Sequence, residues 1–154
     1  MVLSKLDMNL YLFDIDGTLV GSADGHKDAF AVGFSKVFGI FASIHEVDFR
    51  GCTDFQIIAM LAELHTIRLT QESIANLESV MSEYYADVAQ NLTIEPIRGA
   101  RDALLSIRDS GNSIELLSGN LSNIAEIKLK KAGIFDLFES GTYGDYADSR
   151  VALV

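Results

Sequence analysis

Leu10-Tyr11-Leu12-Phe13-Asp14-Ile15-Asp16-Gly17-Thr18-Leu19 decides how the rest of the chain is read. Four apolar residues in a row suit a buried strand, and the Gly17-Thr18 after Asp16 is a turn signal. The strand therefore ends in two carboxylates, two residues apart, where it opens into a loop. Ligands of open parallel sheets bind beyond the carboxyl ends of the strands. Two acids at such a mouth suit a magnesium ion, one nucleophile and one proton carrier.

Two plainer readings account for less. A calcium loop of the EF-hand type also begins D-x-D, but it needs an oxygen ligand at position 5, glycine at 6 and glutamate at 12. Counted from Asp14, those positions hold Thr18, Leu19 and Gly25, so the glycine and the glutamate are both missing. An Asx-turn closing a strand explains Asp16-Gly17 but leaves Asp14 without a reason.

The segment matches hhhDxDGT without a gap and resembles the first motif of the haloacid dehalogenase-like (HAD) hydrolases, and the resemblance runs from about residue 9 to Val154. It implies covalent catalysis. Asp14 would attack phosphorus to form an aspartyl-phosphate, splitting one difficult displacement into two easier ones. Asp16 would protonate the leaving oxygen and later deprotonate the attacking water. Gly17 and Thr18 would line the phosphate loop, and Mg²⁺ would be held by the Asp14 side chain and the Asp16 carbonyl. Family members acting on carbon–halogen or carbon–phosphorus bonds usually lack the second acid, so its presence favours a phosphatase or phosphomutase.

Composition is compatible with that expectation. The 154 residues suit one domain, or one domain carrying an insertion, and 49% are hydrophobic, ample for a core. A net charge of −10 argues against nucleic acid and anionic membrane surfaces as partners. A phosphorylated substrate must then be attracted locally, by a metal and a few placed donors. The single cysteine, Cys52, precludes an internal disulfide and fits a reducing compartment, with a packing role rather than a nucleophilic one. No segment approaches the length of a membrane span, and the amino terminus lacks a signal peptide, so a soluble, cytoplasmic protein is expected.

Downstream of the first strand, Gly21 to Gly25 is polar. Phe30, Phe34, Val37 and Phe38 then fall at helical spacing, with Gly39 as a stop. Thr53-Asp54-Phe55-Gln56 reads as a capping box ahead of an apolar stripe of Ile57, Ile58, Leu61 and Leu64. Thr70 opens a third helix carrying Ile74, Leu77, Met81, Tyr84, Tyr85 and Val88, read as core contacts and not as a cofactor site. Asn91 to Gly99, with the only proline at Pro96, is a return linker. Helices over about Arg101–Ser110 and Ser122–Ala132 follow, each closed by a glycine, with strands at Ile114–Leu117 and Leu137–Glu139. This is an α/β fold, a Rossmann-like parallel sheet with an inserted α-helical cap. Residues 1–21 and 93–154 form the core domain and residues 22–92 the cap, which in the family covers the active site and selects substrates.

Ser118-Gly119-Asn120 ends the second strand. A hydroxyl, a glycine amide and an N-cap residue make an anion-binding corner. It is similar to the family's second motif, which implies that Ser118 hydrogen-bonds the phosphoryl group beside Gly119 and Asn120. The third motif supplies a cation, whose removal elsewhere in phosphoryl transfer costs about 10³-fold or more. Arg150, after the third strand, stands at the family position and is assigned that role; Lys128, Lys130 and Lys131 are expected to be solvated surface lysines.

The fourth motif, a further acidic pair, is missing. Gly144-Asp145-Tyr146-Ala147-Asp148 reads instead as a loop with helix-capping acids. The expectation is a shortened family member with an incomplete sheet, a weakly held Mg²⁺ and an open edge on the first strand, an invitation to homo-oligomerisation. In the cap, Phe49-Arg50-Gly51-Cys52-Thr53-Asp54 resembles phosphoglycolate-phosphatase-like members. Arg50 would meet a distal anion of a small phosphorylated metabolite, such as phosphoglycolate or a sugar phosphate, with His26 and Lys27 as lesser candidates. A phosphomutase and a catalytically inactive binding module are the alternatives.

Overall fold

The computed structural model describes residues 9–21, 25–145 and 150–153. Strand β1, Leu10–Phe13, pairs in parallel with β2, Ser113–Leu117, in the register Leu10↔Ser113 to Phe13↔Leu116. Strand β3, Gly141–Thr142, pairs in parallel with the other side of β2, giving the order β1-β2-β3. A short third strand was expected at Leu137–Glu139, but Phe135–Leu137 is a turn of 3-10 helix and the strand starts later. The apolar residues that suggested a strand, Leu137 and Phe138, are partly buried against the apolar cluster at the sheet instead.

The first strand lies where it was expected, yet it is not buried. Leu10, Tyr11 and Leu12 are 55%, 40% and 45% exposed, because among the described residues no strand pairs with the outer edge of β1.

Three of the four α-helices between β1 and β2 come first and form a layer: α1, His26–Phe38, α2, Asp54–Leu64, and α3, Gln71–Gln90. Their boundaries are local chemistry. The Thr53 hydroxyl accepts from Gln56 N while Gln56 accepts from Thr53 N, closing the expected capping box, and Thr70 and Ser73 make a second one. Gly39 ends α1 at φ 71°, a left-handed conformation that a residue with Cβ adopts only with strain. Phe30, Phe34, Ile57, Ile58, Leu61, Leu77, Met81 and Tyr85 interlock as one apolar cluster. Leu64, expected in the α2 stripe, is 54% exposed at the last turn of its helix.

The return path leads through Asn91–Gly99 into α4, Ala100–Asp109, then β2, then α5, Ser122–Lys131. A second apolar cluster sits at the sheet, with Ile15, Leu19, Val20, Leu104, Ile114 and Leu116. Helix α5 belongs to both clusters: Leu121 at its N-cap and Ile124 pack with the helical layer, Ala125 and Leu129 with the sheet. It therefore stands between the two layers, beside the mouth of β1.

Candidate functional site

Asp14 and Asp16 emerge where β1 ends, as the sequence implies. Gly17, at φ 78°, turns the chain so that Gly17 N donates to Val20 O, and the Ile15 carbonyl accepts from Thr18, Leu19 and Val20. This tight loop aims the Asp16 carboxylate at α5. There Lys128 Nζ stands 2.8 Å from Asp16 Oδ1 and 2.8 Å from Oδ2, and 3.2 Å from His26 Nδ1. Three ammonium donors thus meet three acceptors, which allows a lysine to be 1% exposed. Asn120 Nδ2 adds a 2.7 Å bond to Asp16 Oδ2. Burial alone would push the Asp16 carboxyl up, but the Lys128 charge and hydrogen bond, with help from the Asn120 hydrogen bond, hold it below the ordinary aspartate value.

Lys128 was expected at the surface, and that expectation is wrong. It sits on the apolar face of α5, in phase with Leu121, Ile124 and Ala125, whereas Lys130 pairs with Glu126 in solvent. The helical phase was the available signal: Lys128 falls seven residues after Leu121 and four after Ile124, a position that points inward.

His26 and Asp54 complete the cluster. His26 Nε2 is 2.9 Å from Asp54 Oδ2, and the same oxygen accepts from Leu121 N at 2.8 Å. Asp54 N donates to Gly119 O at 2.7 Å, tying the start of α2 to the loop after β2. Because Lys128 donates into His26 Nδ1, that nitrogen is bare, and the ring proton is on Nε2, donated to Asp54. The ring is boxed by Phe30 and by Tyr85, each 5.9 Å away centroid to centroid. Burial, and then the nearby Asp16 charge, push the Tyr85 phenol up, so it stays protonated.

Ser118 is 2% exposed at the end of β2, and its Oγ accepts from Asn120 N at 3.2 Å. Ser118, Asn120 and Asp16 are thereby linked through one residue, which brings the two expected motifs together. Asn120 is not the helix cap, however. Leu121 takes that position, and carboxylates from elsewhere satisfy the first amides of α5: Asp54 bonds Leu121 N, and Asp145 Oδ1 accepts from Ser122 N and Oγ. Asp145 therefore caps a helix, as expected of the loop acids, while Tyr146, Ala147 and Asp148 lie outside the described residues.

Gly144 closes this corner, for a Cβ there would stand 2.1 Å from Gly119 O and 3.0 Å from Thr53 Cβ. Arg150 begins a 3-10 turn, Arg150–Leu153, and its side chain lies outside the described residues. Arg50 lines the cavity from the helical layer but is held in solvent by Asp48, at 2.9 Å. Gly17 and Thr18 are exposed, and Cys52 is half-buried against the helical cluster, a packing role as expected.

Between the helical layer and the sheet lies a cavity of about 250 Å³ with Asp16, His26, Lys128 and Asp54 at one end and Lys27, Arg50, Phe30 and Phe49 around it. Asp14 opens into a neighbouring hollow with Leu12, Leu117, Gly119 and Leu153. Among the described residues no three His, Cys, Asp or Glu side chains converge as a metal cage. With the Asp16 carboxylate committed to Lys128 and Asn120, the donor set fits magnesium in its sparse form: one carboxylate, main-chain oxygen, water and a substrate phosphate.

The sequence pattern of the haloacid dehalogenase-like hydrolases matches residues 11–147. The chain belongs to that family. The HAD-like fold is shared with a predicted phosphoglycolate phosphatase from Haemophilus somnus 129PT, at 18% identity and TM-score 0.59, over 89% of this chain and 63% of that one. CbbY from Rhodobacter sphaeroides, in complex with phosphate, superposes with TM-score 0.67 at 17% identity, over 91% of this chain and 65% of its own. A hydrolase from Pseudomonas syringae gives 0.66 at 17% identity, over 91% and 63%. This HAD-like chain therefore spans less than two thirds of the length of those structures. No curated protein matches it at a significant level. Among the described residues, no helix is long and apolar enough to cross a membrane.

Proposed function

We propose that this HAD-like hydrolase is a cytoplasmic magnesium-dependent phosphatase of small phosphorylated metabolites, with residues 22–92 as a cap over a core of residues 1–21 and 93–154. The observation that carries the reading is the Asp16–Lys128–Asn120 cluster at the mouth of β1, one hydrogen bond from Ser118. A buried cation beside a strand-end acid pair is the electrostatics that phosphoryl transfer needs.

In the first step the Asp14 carboxylate attacks phosphorus, the ester oxygen leaves, and Asp16 gives that oxygen its proton. In the second, Asp16 takes a proton from water, which attacks the aspartyl-phosphate and releases inorganic phosphate. Ser118 and Asn120 orient the phosphoryl oxygens, with the Gly119 segment and the Gly17-Thr18 loop around them. Bound magnesium, held by Asp14 and the Asp16 carbonyl, supplies charge neutralisation.

Lys128 supplies a cation at the mouth of β1; the sequence assigned that role to Arg150, whose side chain lies outside the described residues. Lys128 also tunes Asp16. While paired with Lys128 the carboxyl is held ionised. When a phosphoryl group draws the ammonium towards itself, burial acts on Asp16 against the Asn120 bond alone, its proton affinity rises, and it can carry the proton it must donate. The cavity's size and its cations, Lys27 and Arg50, favour a compact substrate with a second anionic or hydroxylated end, and a CbbY structure with xylulose-1,5-bisphosphate is of that class.

The test is release of inorganic phosphate from phosphoglycolate, sugar phosphates and p-nitrophenyl phosphate with and without Mg²⁺, against Asp14→Asn. Isomerisation of a sugar phosphate without net phosphate release would replace the reading with a mutase. Equal, metal-independent background in both proteins would leave a binding module.

A further inference from the structure

We infer that Asp54, acting through His26, is a positioning residue that sets where the Lys128 ammonium stands against Asp16. The inference rests on the phosphatase reading for its catalytic consequence, but not for its geometry. A chain of contacts runs from the helical layer into the site: Asp54 Oδ2 to His26 Nε2 at 2.9 Å, His26 Nδ1 to Lys128 Nζ at 3.2 Å, Lys128 Nζ to Asp16 at 2.8 Å. Each member but Asp16 is largely buried; the side chains of His26 and Asp54 are 13% and 6% exposed, and Lys128 is 1% exposed.

The imidazole can accept from Lys128 only while Nδ1 has no proton. Asp54 enforces that state by accepting the proton-bearing Nε2–H, since a carboxylate has nothing to donate. Phe30 and Tyr85 hold the ring plane, so its two polar ends are its only freedom. Without the Asp54 charge the proton is free to move to Nδ1, where it meets an ammonium head-on. Lys128 must then retreat and lose one of its three acceptors. Asp54 also grips the core by two further bonds, to Leu121 N and Gly119 O, so the ring is aimed only when the start of α2 is docked on the loop after β2. Docking of the helical layer and alignment of the cation are one event.

Two measurements on the full chain decide this. In ¹⁵N spectra of the imidazoles, with the His26 signals assigned by their loss in His26→Gln, the wild type should show Nε2 protonated and Nδ1 bare. Asp54→Asn, which keeps an oxygen for Leu121 N, should move both nitrogens towards the average of the two tautomers. In turnover with p-nitrophenyl phosphate and Mg²⁺, Asp54→Asn should lower kcat by about 10-fold to 100-fold, the scale of a weakened hydrogen bond to a charged group, with a smaller change in KM. Its effect on kcat should vanish in the His26→Phe background, and His26→Gln, whose amide can accept from Lys128 and donate to Asp54, should lose less than His26→Phe.

A proton on Nδ1 in the wild type, ring signals unmoved by Asp54→Asn, or equal slowing with and without His26 would overturn the inference. If the wild type releases no phosphate, the function falls, and the imidazole spectra alone decide the positioning role.

Discussion

Replacing Lys128 by methionine tests the centre of the site without emptying it, because the two side chains are of similar volume and both are flexible. Breaking a buried ion pair by removing one partner costs about 3–5 kcal/mol. Asp16 keeps the Asn120 bond and 35% of its side-chain surface in water, so solvent takes back part of that cost. About 2 kcal/mol is expected at neutral pH. For a chain of this size that lowers Tm by about 4–8 °C.

The pH dependence is the sharper test. In the wild type the Asp16 carboxyl sits below its ordinary value, so its stabilisation is present above about pH 4 and is lost as pH falls through the lowered folded value. In Lys128→Met the ammonium that most opposed burial is gone and only the weaker Asn120 bond still lowers the carboxyl, so the folded value rises. The variant is then penalised at neutral pH and relieved as pH falls through that raised value. Thermal unfolding followed by circular dichroism at pH 7 and at about pH 4.5 should show the gap between the two proteins narrowing in acid. A gap as wide or wider at the lower pH would refute the pairing of Lys128 with an ionised Asp16.

Asp14→Asn should leave Tm within about 2 °C of wild type while lowering phosphate release by about 10³-fold or more, read in a malachite-green assay. Gly144→Ala must force apart Gly119 and the Thr53 end of α2, where a Cβ would stand 2.1 Å from the Gly119 oxygen, and should cost about 1–3 kcal/mol in urea unfolding. Asp145→Ala strips the acceptor from Ser122 N and Oγ at the first turn of α5 and should cost about 1 kcal/mol, with early loss of amide exchange protection confined to that turn.

The parts of the fold written in short-range chemistry were legible. The run Leu10–Phe13, the Thr53–Gln56 capping box and the stop at Gly39 each depend on residues within four positions, and each lies where it was expected. What sequence reading missed depends on distance in the chain. Lys128 lies 112 residues from Asp16 and His26 lies 28 from Asp54, so nothing local marks them as partners. For Lys128 the turn of α5 held a usable signal; for His26 and Asp54 there was none, since each also suits the end of a helix on its own. The third strand went astray for the opposite reason. Leu137 and Phe138 carry the apolar signature, but they pack against the apolar cluster at the sheet, while Gly141 and Thr142 make the ladder.

Helix α5 is wetted on neither of its apolar sides, and this has a cost for motion. Swinging the three-helix layer away from the sheet would uncover Leu121 and Ile124, at about 1.5–3 kcal/mol for each side chain brought into water. That cost holds the helical layer to the sheet, so truncating Leu121 or Ile124 should loosen both layers at once.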